Sequence, residues 1–267
     1  MSFPYKQVLL VGATSGIGAA MADKLVQEGI KVIAVGRRQE RLDAFVQKHG
    51  PSRADSICFD ITDRAGLDNF VNEVCRKFPE LDCVFINSVV QSQIRLSRPS
   101  SVDLDAFRNE VNTNFLSVVD ISIKFLPKLQ EKKFPTGLIF TGTHFAIIPA
   151  ATLPAYSASK AALHSYVYSL REQSRGSSTK IIEIWPPVVQ SECKPRLSYT
   201  TTWAKRGRSM GMPVQEFTEK TYSQLVTGCD DVLIGSVGRE EPYLELFRSR
   251  KQQADDLTKL VLSHFEL

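Results

Sequence analysis

Seven short apolar runs punctuate the chain: QVLLV (7–11), KVIAV (31–35), SICFD (56–60), CVFIN (83–87), GLIFT (137–141), KIIEIW (180–185) and DVLIG (231–235). Longer segments of helical period separate them. Strands that are apolar on both faces and alternate with helices predict a parallel sheet covered on both sides, a doubly wound α/β fold. Between 103 and 130, apolar side chains recur at Leu104, Phe107, Val111, Phe115, Val118 and Ile121 or Ile123, which predicts one long helix. A second is predicted over about 155–174. No repeat, low-complexity tract or Gly/Ser linker divides the chain, so one domain over 1–267 is expected. The stretch 191–212, SECKPRLSYTTTWAKRGRSMGM, lacks any clear period. A loop of that length in a compact domain is usually functional, and a substrate lid is expected there.

Composition narrows the function classes. The chain has 267 residues, 43% of them hydrophobic, enough for a sizeable core. A net charge of +4, with Lys and Arg spread along the chain, gives no polyanion footprint, so no nucleic acid partner is expected. Cys58, Cys75, Cys83, Cys193 and Cys229 show no C-x-x-C spacing, which suggests neither a disulfide framework nor a metal site. The opening apolar run is too short to span a bilayer and leads straight into a glycine motif. The final HFEL approximates an ER-retention address, unreadable without an entry signal. A cytoplasmic protein with no membrane partner is expected.

The first chemistry-bearing motif is VLLVGATSGIGAAMADKL. Gly12, Gly16 and Gly18 follow a predicted strand and open a predicted helix, the context of a Rossmann-type dinucleotide turn. The glycines permit close backbone approach, and the helix N-terminus offers N–H groups to a pyrophosphate. The spacing is G-x-x-x-G-x-G, and simple turn punctuation is the alternative. The second strand ends VIAVGRRQERL, with Arg37 and Arg38 where an NAD site would carry an acid for the ribose hydroxyls. A guanidinium grips a 2′-phosphate bidentately, which favours NADPH over NADH, although two solvated helix-cap arginines would read the same way. Asp60, in FDITD, is placed either to accept from an adenine amine or to cap the following helix.

The second motif is AATLPAYSASKAALHS. Tyr156 and Lys160 stand four apart on a predicted helix and share one face, and Pro154 suits the helix entry. An amphipathic helix with a solvated lysine is the plain alternative.

Together GATSGIG, FDITD, NTNF, YSASK and WPPVVQSE fall in an order and spacing that resembles the short-chain dehydrogenase/reductase family over nearly the whole chain. YSASKAALHS and PPVV look like its DltE-like oxidoreductase branch. The resemblance implies an NADP-dependent enzyme that reduces a carbonyl or imine of a small organic substrate, or runs the reverse alcohol oxidation. Tyr156 would donate the proton. A free phenol has a pKa of ~10, and the Lys160 cation favours its ionised form. Asn114 would hold a water that links the lysine to solvent, a helix residue bonded to backbone being the alternative, and Thr143, thirteen residues before Tyr156, stands where the family has a serine, unless it merely packs at the end of its strand. The implied NADPH/NADP+ contacts are Gly12, Thr14, Ser15, Gly16, Ile17, Gly18, Arg37, Arg38, Asp60, Ile61, Asn87, Tyr156, Lys160, Pro186, Val188 and Ser191, with Ser191 and the Val188 N–H at the cofactor amide.

Three positions depart from the family pattern. The usual NNAG reads Ile86, Asn87, Ser88, Val89; the usual Pro-Gly after the sixth strand is Pro186-Pro187; and the serine is Thr143. Two rival functions stay open: a non-redox enzyme on the same fold (dehydratase, isomerase or cyclase), and a nucleotide-sensing protein without turnover. His144 is placed either as a second acid or, with more support, as a packed residue. The lid residues Tyr199 and Trp203, with Lys194, Arg196, Lys205, Arg206 and Arg208, suit an aromatic or anionic ligand, but a solvated basic surface is the better reading. A homodimer or homotetramer is expected through the two long helices, the second carrying Leu163, Tyr166, Val167 and Leu170, unless those side chains face the sheet.

Overall fold

In a computed structural model that describes residues 2–191 and 211–264, seven parallel strands pair in the order β3-β2-β1-β4-β5-β6-β9. They are β1 (Gln7–Val11), β2 (Lys31–Gly36), β3 (Ala54–Cys58), β4 (Cys83–Ile86), β5 (Thr136–Thr141), β6 (Thr179–Trp185) and β9 (Asp231–Leu233). The chain winds outward from β1 to β3, then crosses back to β4 and winds the other way. A crevice therefore opens beyond the carboxyl ends of β1 and β4. The register Val11↔Val35 and Val11↔Ile86 brings the ends of β1, β2 and β4 level at that crevice.

The alternation within each strand separates two cores. Leu9 and Val11 point to one side with α3 (Leu67–Lys77), α5 (Ser117–Gln130) and α6 (Pro154–Gln173). Val8 and Leu10 point to the other with α1 (Gly16–Gln27), α2 (Gln39–His49) and the helix Val214–Leu225, here α7. This is the Rossmann-type doubly wound α/β sheet expected from the apolar runs. Leu163, Val167 and Leu170 are buried in the first core and face the sheet, with Tyr166 packed on it and partly exposed.

Several boundaries differ from the sequence expectation. The run 103–130 is not one regular helix: α4 (Leu104–Val111) passes into a π turn (Asn112–Leu116) and then α5, and Leu104 and Ile123 are exposed. The run 56–60 is shifted to 54–58 because Asp60 Oδ1 accepts from the Thr62 N–H at 3.0 Å and its hydroxyl at 2.8 Å, which bends the chain out of the ladder. The last strand stops at Leu233, and Gly235, at φ +61°, turns the chain away. A helix without a forecast, α8 (Glu240–Leu262), lies against β6, with Phe247 edge-on to Trp185 at 5.0 Å and Asp255 accepting from Tyr168 Oη at 3.0 Å.

The expected lid, with its aromatic and basic side chains, lies outside the described residues apart from its ends. Those ends are joined by a two-stranded ribbon of β7 (Val189–Gln190) and β8 (Met212–Pro213). No helix of the described residues is long and apolar enough to cross a membrane.

Candidate active site

The turn after β1 is built for close backbone approach. Gly12 has φ +91°, and a Cβ there would stand 2.6 Å from the Ser88 nitrogen. A Cβ on Gly18 would strike the Gly12 carbonyl and come within 2.5 Å of Asn87 Nδ2, so α1 packs against the turn only because position 18 is bare. The first turn of α1 carries no acidic residue. Ser15 stands at the N-cap, but its hydroxyl makes no capping bond and instead accepts from Arg38 Nη2 at 2.7 Å. The glycine cradle and a helix N-terminus without a carboxylate fit a dinucleotide pyrophosphate.

The two arginines diverge. Arg38 folds over the glycine turn, with Nε and Nη2 donating to Thr14 Oγ1 at 3.1 and 2.6 Å. Gly36 makes room for Thr14, since a Cβ there would meet Thr14 Cγ2 at 2.6 Å. Arg41 Nη1 donates to the Thr14 carbonyl at 2.9 Å, a contact missed in the sequence because a third arginine on a helix face looks like solvated surface. Arg37 instead reaches Asp60, Nη1 to Oδ2 3.3 Å, in a half-exposed pair. Burial opposes ionisation of Asp60, but the Thr62 bonds and the Arg37 charge outweigh it and hold the carboxyl below its ordinary range. Ile17 packs on the second core and Ile61 is buried in the first.

A continuous set of hydrogen bonds then crosses the carboxyl ends of three strands. Asn87 Nδ2 donates to the Gly12 carbonyl at 3.2 Å, and Asn87 Oδ1 accepts from Thr141 Oγ1 at 2.9 Å. The Thr141 carbonyl in turn accepts from Lys160 Nζ at 2.7 Å. Lys160 is 2% exposed. The glycine turn and the Tyr156–Lys160 helix are thus tied through one residue of β5. Thr141 left no signal beyond a threonine ending an apolar run.

Pro154 occupies the first turn of α6, and Tyr156 follows there, half-buried. Ser159 Oγ donates to the Tyr156 carbonyl at 2.8 Å and accepts from Asn114 Nδ2 at 3.3 Å. Asn114, wholly buried within the π turn, also grips the Val90 backbone: Oδ1 accepts from its N–H at 2.9 Å and Nδ2 donates to its carbonyl at 2.8 Å. Thr143, 3% exposed, caps a short 3₁₀ turn (His144–Ala146), its Oγ1 accepting from the Phe145 N–H at 3.3 Å. His144 points away from Thr143 into the protein. Its Nε2 lies 3.2 Å from the Ile234 carbonyl and its ring 4.4 Å from that of Tyr243, and burial pushes its pKa down. It is a packed histidine.

Pro186 accepts from the His144 N–H at 3.3 Å, and the Val188 carbonyl from the Met212 N–H at 2.9 Å. Ser191 is the last described residue before 192, half-buried.

Fold and site together define a doubly wound α/β protein with a glycine-lined turn that fits a dinucleotide and a Tyr-x-x-x-Lys helix beside it. The short chain dehydrogenase family model matches residues 6–201, and the chain belongs to that family of oxidoreductases. It is 30% identical over 219 residues to the uncharacterized oxidoreductase DltE of Bacillus subtilis, covering 82% of this chain and 85% of that one. It is 29% identical over 186 residues to a serine 3-dehydrogenase of Rhizobium radiobacter, covering 69% and 72%. Among solved structures, the closed form of a serine dehydrogenase complexed with NADP+ superposes with a TM-score of 0.74 at 20% identity, over 88% of this chain and all of that one. A Burkholderia phymatum family member in complex with NAD superposes with 0.76 at 16% identity, over 87% and 90%. At those identities the structures speak to the fold.

Proposed function

We propose that the chain is an NADPH-dependent reductase of a carbonyl or imine on a small organic molecule, or an alcohol dehydrogenase in the reverse sense. One observation carries this: the Gly12–Asn87–Thr141–Lys160 chain of hydrogen bonds fixes the cofactor cradle and the Tyr156 helix as one unit. Gly12, Gly16 and Gly18 would receive the pyrophosphate, Arg38 with Thr14 and Ser15 the adenosine 2′-phosphate, and Lys160 the nicotinamide ribose. Arg37 and Asp60 flank the adenosine end. A bound nicotinamide supplies or takes up the hydride.

The chain's own groups handle the proton. Tyr156 gives its phenolic proton to the substrate oxygen or nitrogen, while the Lys160 ammonium stabilises the phenolate left behind. Thr143 offers its hydroxyl to the same substrate atom as charge develops there. The hydroxyl accepts from the Phe145 N–H, which leaves its own proton for that purpose.

The experiment is a panel of aldehydes, ketones and imines followed by NADPH oxidation, in wild type and Tyr156→Phe. Turnover that disappears in the phenylalanine variant supports the reading. Turnover of equal rate in both, or substrate conversion without NADPH consumption, defeats it in favour of non-redox chemistry. A dimer or tetramer belongs to the same proposal, and a monomeric mass in solution scattering at micromolar protein removes it.

A further inference from the structure

The segment that leaves β4 is tied down at two points. Asn114 holds the Val90 backbone from both sides. Four residues on, the Ile94 N–H donates to the Thr152 carbonyl at 3.1 Å. Between them Ser92 is buried, and the group that faces it is the Glu110 carboxyl in the last turn of α4. Residues 90–94 therefore form a strap bonded to both flanks of Tyr156: to Thr152 ahead of it and, through Asn114 and Ser159, to the Tyr156 carbonyl behind.

Glu110 is 1% exposed, and neither of its oxygens completes a hydrogen bond. No ion pair among the described residues includes it. On its own helix, Arg108 is paired with Asp105 at the surface, 2.9 Å apart. From α6, the turn that meets Asn114 brings Tyr156 and Lys160, and Lys160 gives its ammonium to Thr141. On the strap, Arg95 is exposed. The carboxyl also sits at the negative end of α4, which disfavours a second negative charge.

We propose that Glu110 is a positioning residue: its neutral carboxyl supports Ser92 and the Val90–Ile94 strap beside Tyr156, and ionising it loosens that strap. A neutral carboxyl has an O–H to donate as well as an oxygen to accept with, whereas the carboxylate can only accept and, buried, is cut off from water. Burial pushes the Glu110 carboxyl up to about 7, against the pull of the Ser92 hydroxyl and backbone. The switch therefore operates near neutral pH. For its catalytic consequence this inference rests on the reductase reading; for the strap it does not.

The test is amide hydrogen exchange of the full chain at pH 6 and pH 8.5, corrected for intrinsic rates, in wild type and Glu110→Gln. Peptides covering 88–95 are expected to lose roughly tenfold in protection across that range in wild type and to keep it in the glutamine variant. Wild-type protection that does not change with pH, or a glutamine variant that loses as much as wild type, overturns the proposal. Glu110→Met, which cannot titrate and fills similar volume, is read by the same criterion if glutamine does not fold. With a substrate from the panel, KM should rise with pH in wild type, kcat should hold, and both should be flat in the variant. A panel without any turnover defeats the reductase reading alone, since the exchange result still decides the strap.

Discussion

Two buried acids, one at each edge of the sheet, show how differently this protein treats its two ends. At the amino edge, Asp82 precedes β4 and accepts from the Lys6 and Gln7 N–H groups at 2.7 and 2.8 Å. At the carboxyl edge, Glu110 has neither oxygen bonded. Burial raises the pKa of both, but at Asp82 two backbone donors pull the other way, and the carboxyl is a staple between the start of β1 and the start of β4. The same edge is closed by Tyr5, whose ring fills the space a side chain at Gly137 would take. An acid with fixed backbone donors serves architecture. One without a bonded donor, facing Ser92 of a strap held at its ends, is adjustable, and the adjustable one stands at the end where the chemistry is proposed.

That contrast can be broken by substitution. The largest effect is expected from Asp82→Ala, which strands two backbone donors and should cost about 3–5 kcal/mol in denaturant unfolding. Cofactor affinity of the protein that remains folded should be unchanged; a large loss of NADPH binding would mean that the two edges are not separable. Tyr156→Phe should do the converse, lowering turnover by at least ~10²-fold with the unfolding midpoint held. Normal turnover would remove the tyrosine from the chemistry.

Glu110→Gln sharpens the comparison through pH. The folded carboxyl titrates near 7, above the ordinary 4.5. Between those values the unfolded chain has released its proton while the folded one retains it. Glu110 therefore lowers stability as pH rises through that window, and the loss is complete above about 7. The glutamine variant should match wild type at pH 4–5 and exceed it at pH 8 by up to about 3 kcal/mol. A stability difference that does not vary with pH contradicts the assignment. The smallest effect is expected from Arg38→Ala, which should lower the NADPH-to-NADH affinity ratio by roughly tenfold in paired titrations, the weight of one charge-assisted contact. Arg37→Ala should change it less because Arg37 is shared with Asp60. The reverse order would move the phosphate to Arg37.

What the sequence could reveal follows the same division. The strands were legible because both faces of a parallel sheet are buried, so Leu9 and Leu10 are both apolar although they enter different cores. The glycine turn and the Tyr156–Lys160 spacing are patterns of local geometry and can be read along the chain, whereas Asn114 comes only with the family resemblance, since the Val90 backbone and Ser159 that it bonds are remote in sequence. Glu110 could not be placed: on a linear pattern it is one more acid on an amphipathic helix, and only the folded chain buries it. The divergence of Arg37 and Arg38 was equally hidden, because which of two adjacent guanidinia folds back depends on Thr14, a neighbour remote in sequence. The π turn left no trace either. A single extra residue preserves enough apolar spacing for 103–130 to read as one helix.

That turn also gives the chain an unusual relation between regularity and usefulness. The Ser117 N–H bonds back to the Asn112 carbonyl, five residues away, so the helix carries one residue more per turn than it needs. Deleting one residue there would restore unbroken α-helical pairing and leave a straighter, more ordinary helix. It would also swing everything upstream by about 100° relative to α5, one residue's rotation. Asn114 would lose its hold on Val90, and Glu110 its place facing Ser92. In this protein the locally better helix is the one that would let the strap go, so insertions and deletions between 112 and 116 should be selected against more strictly than substitutions at the same positions.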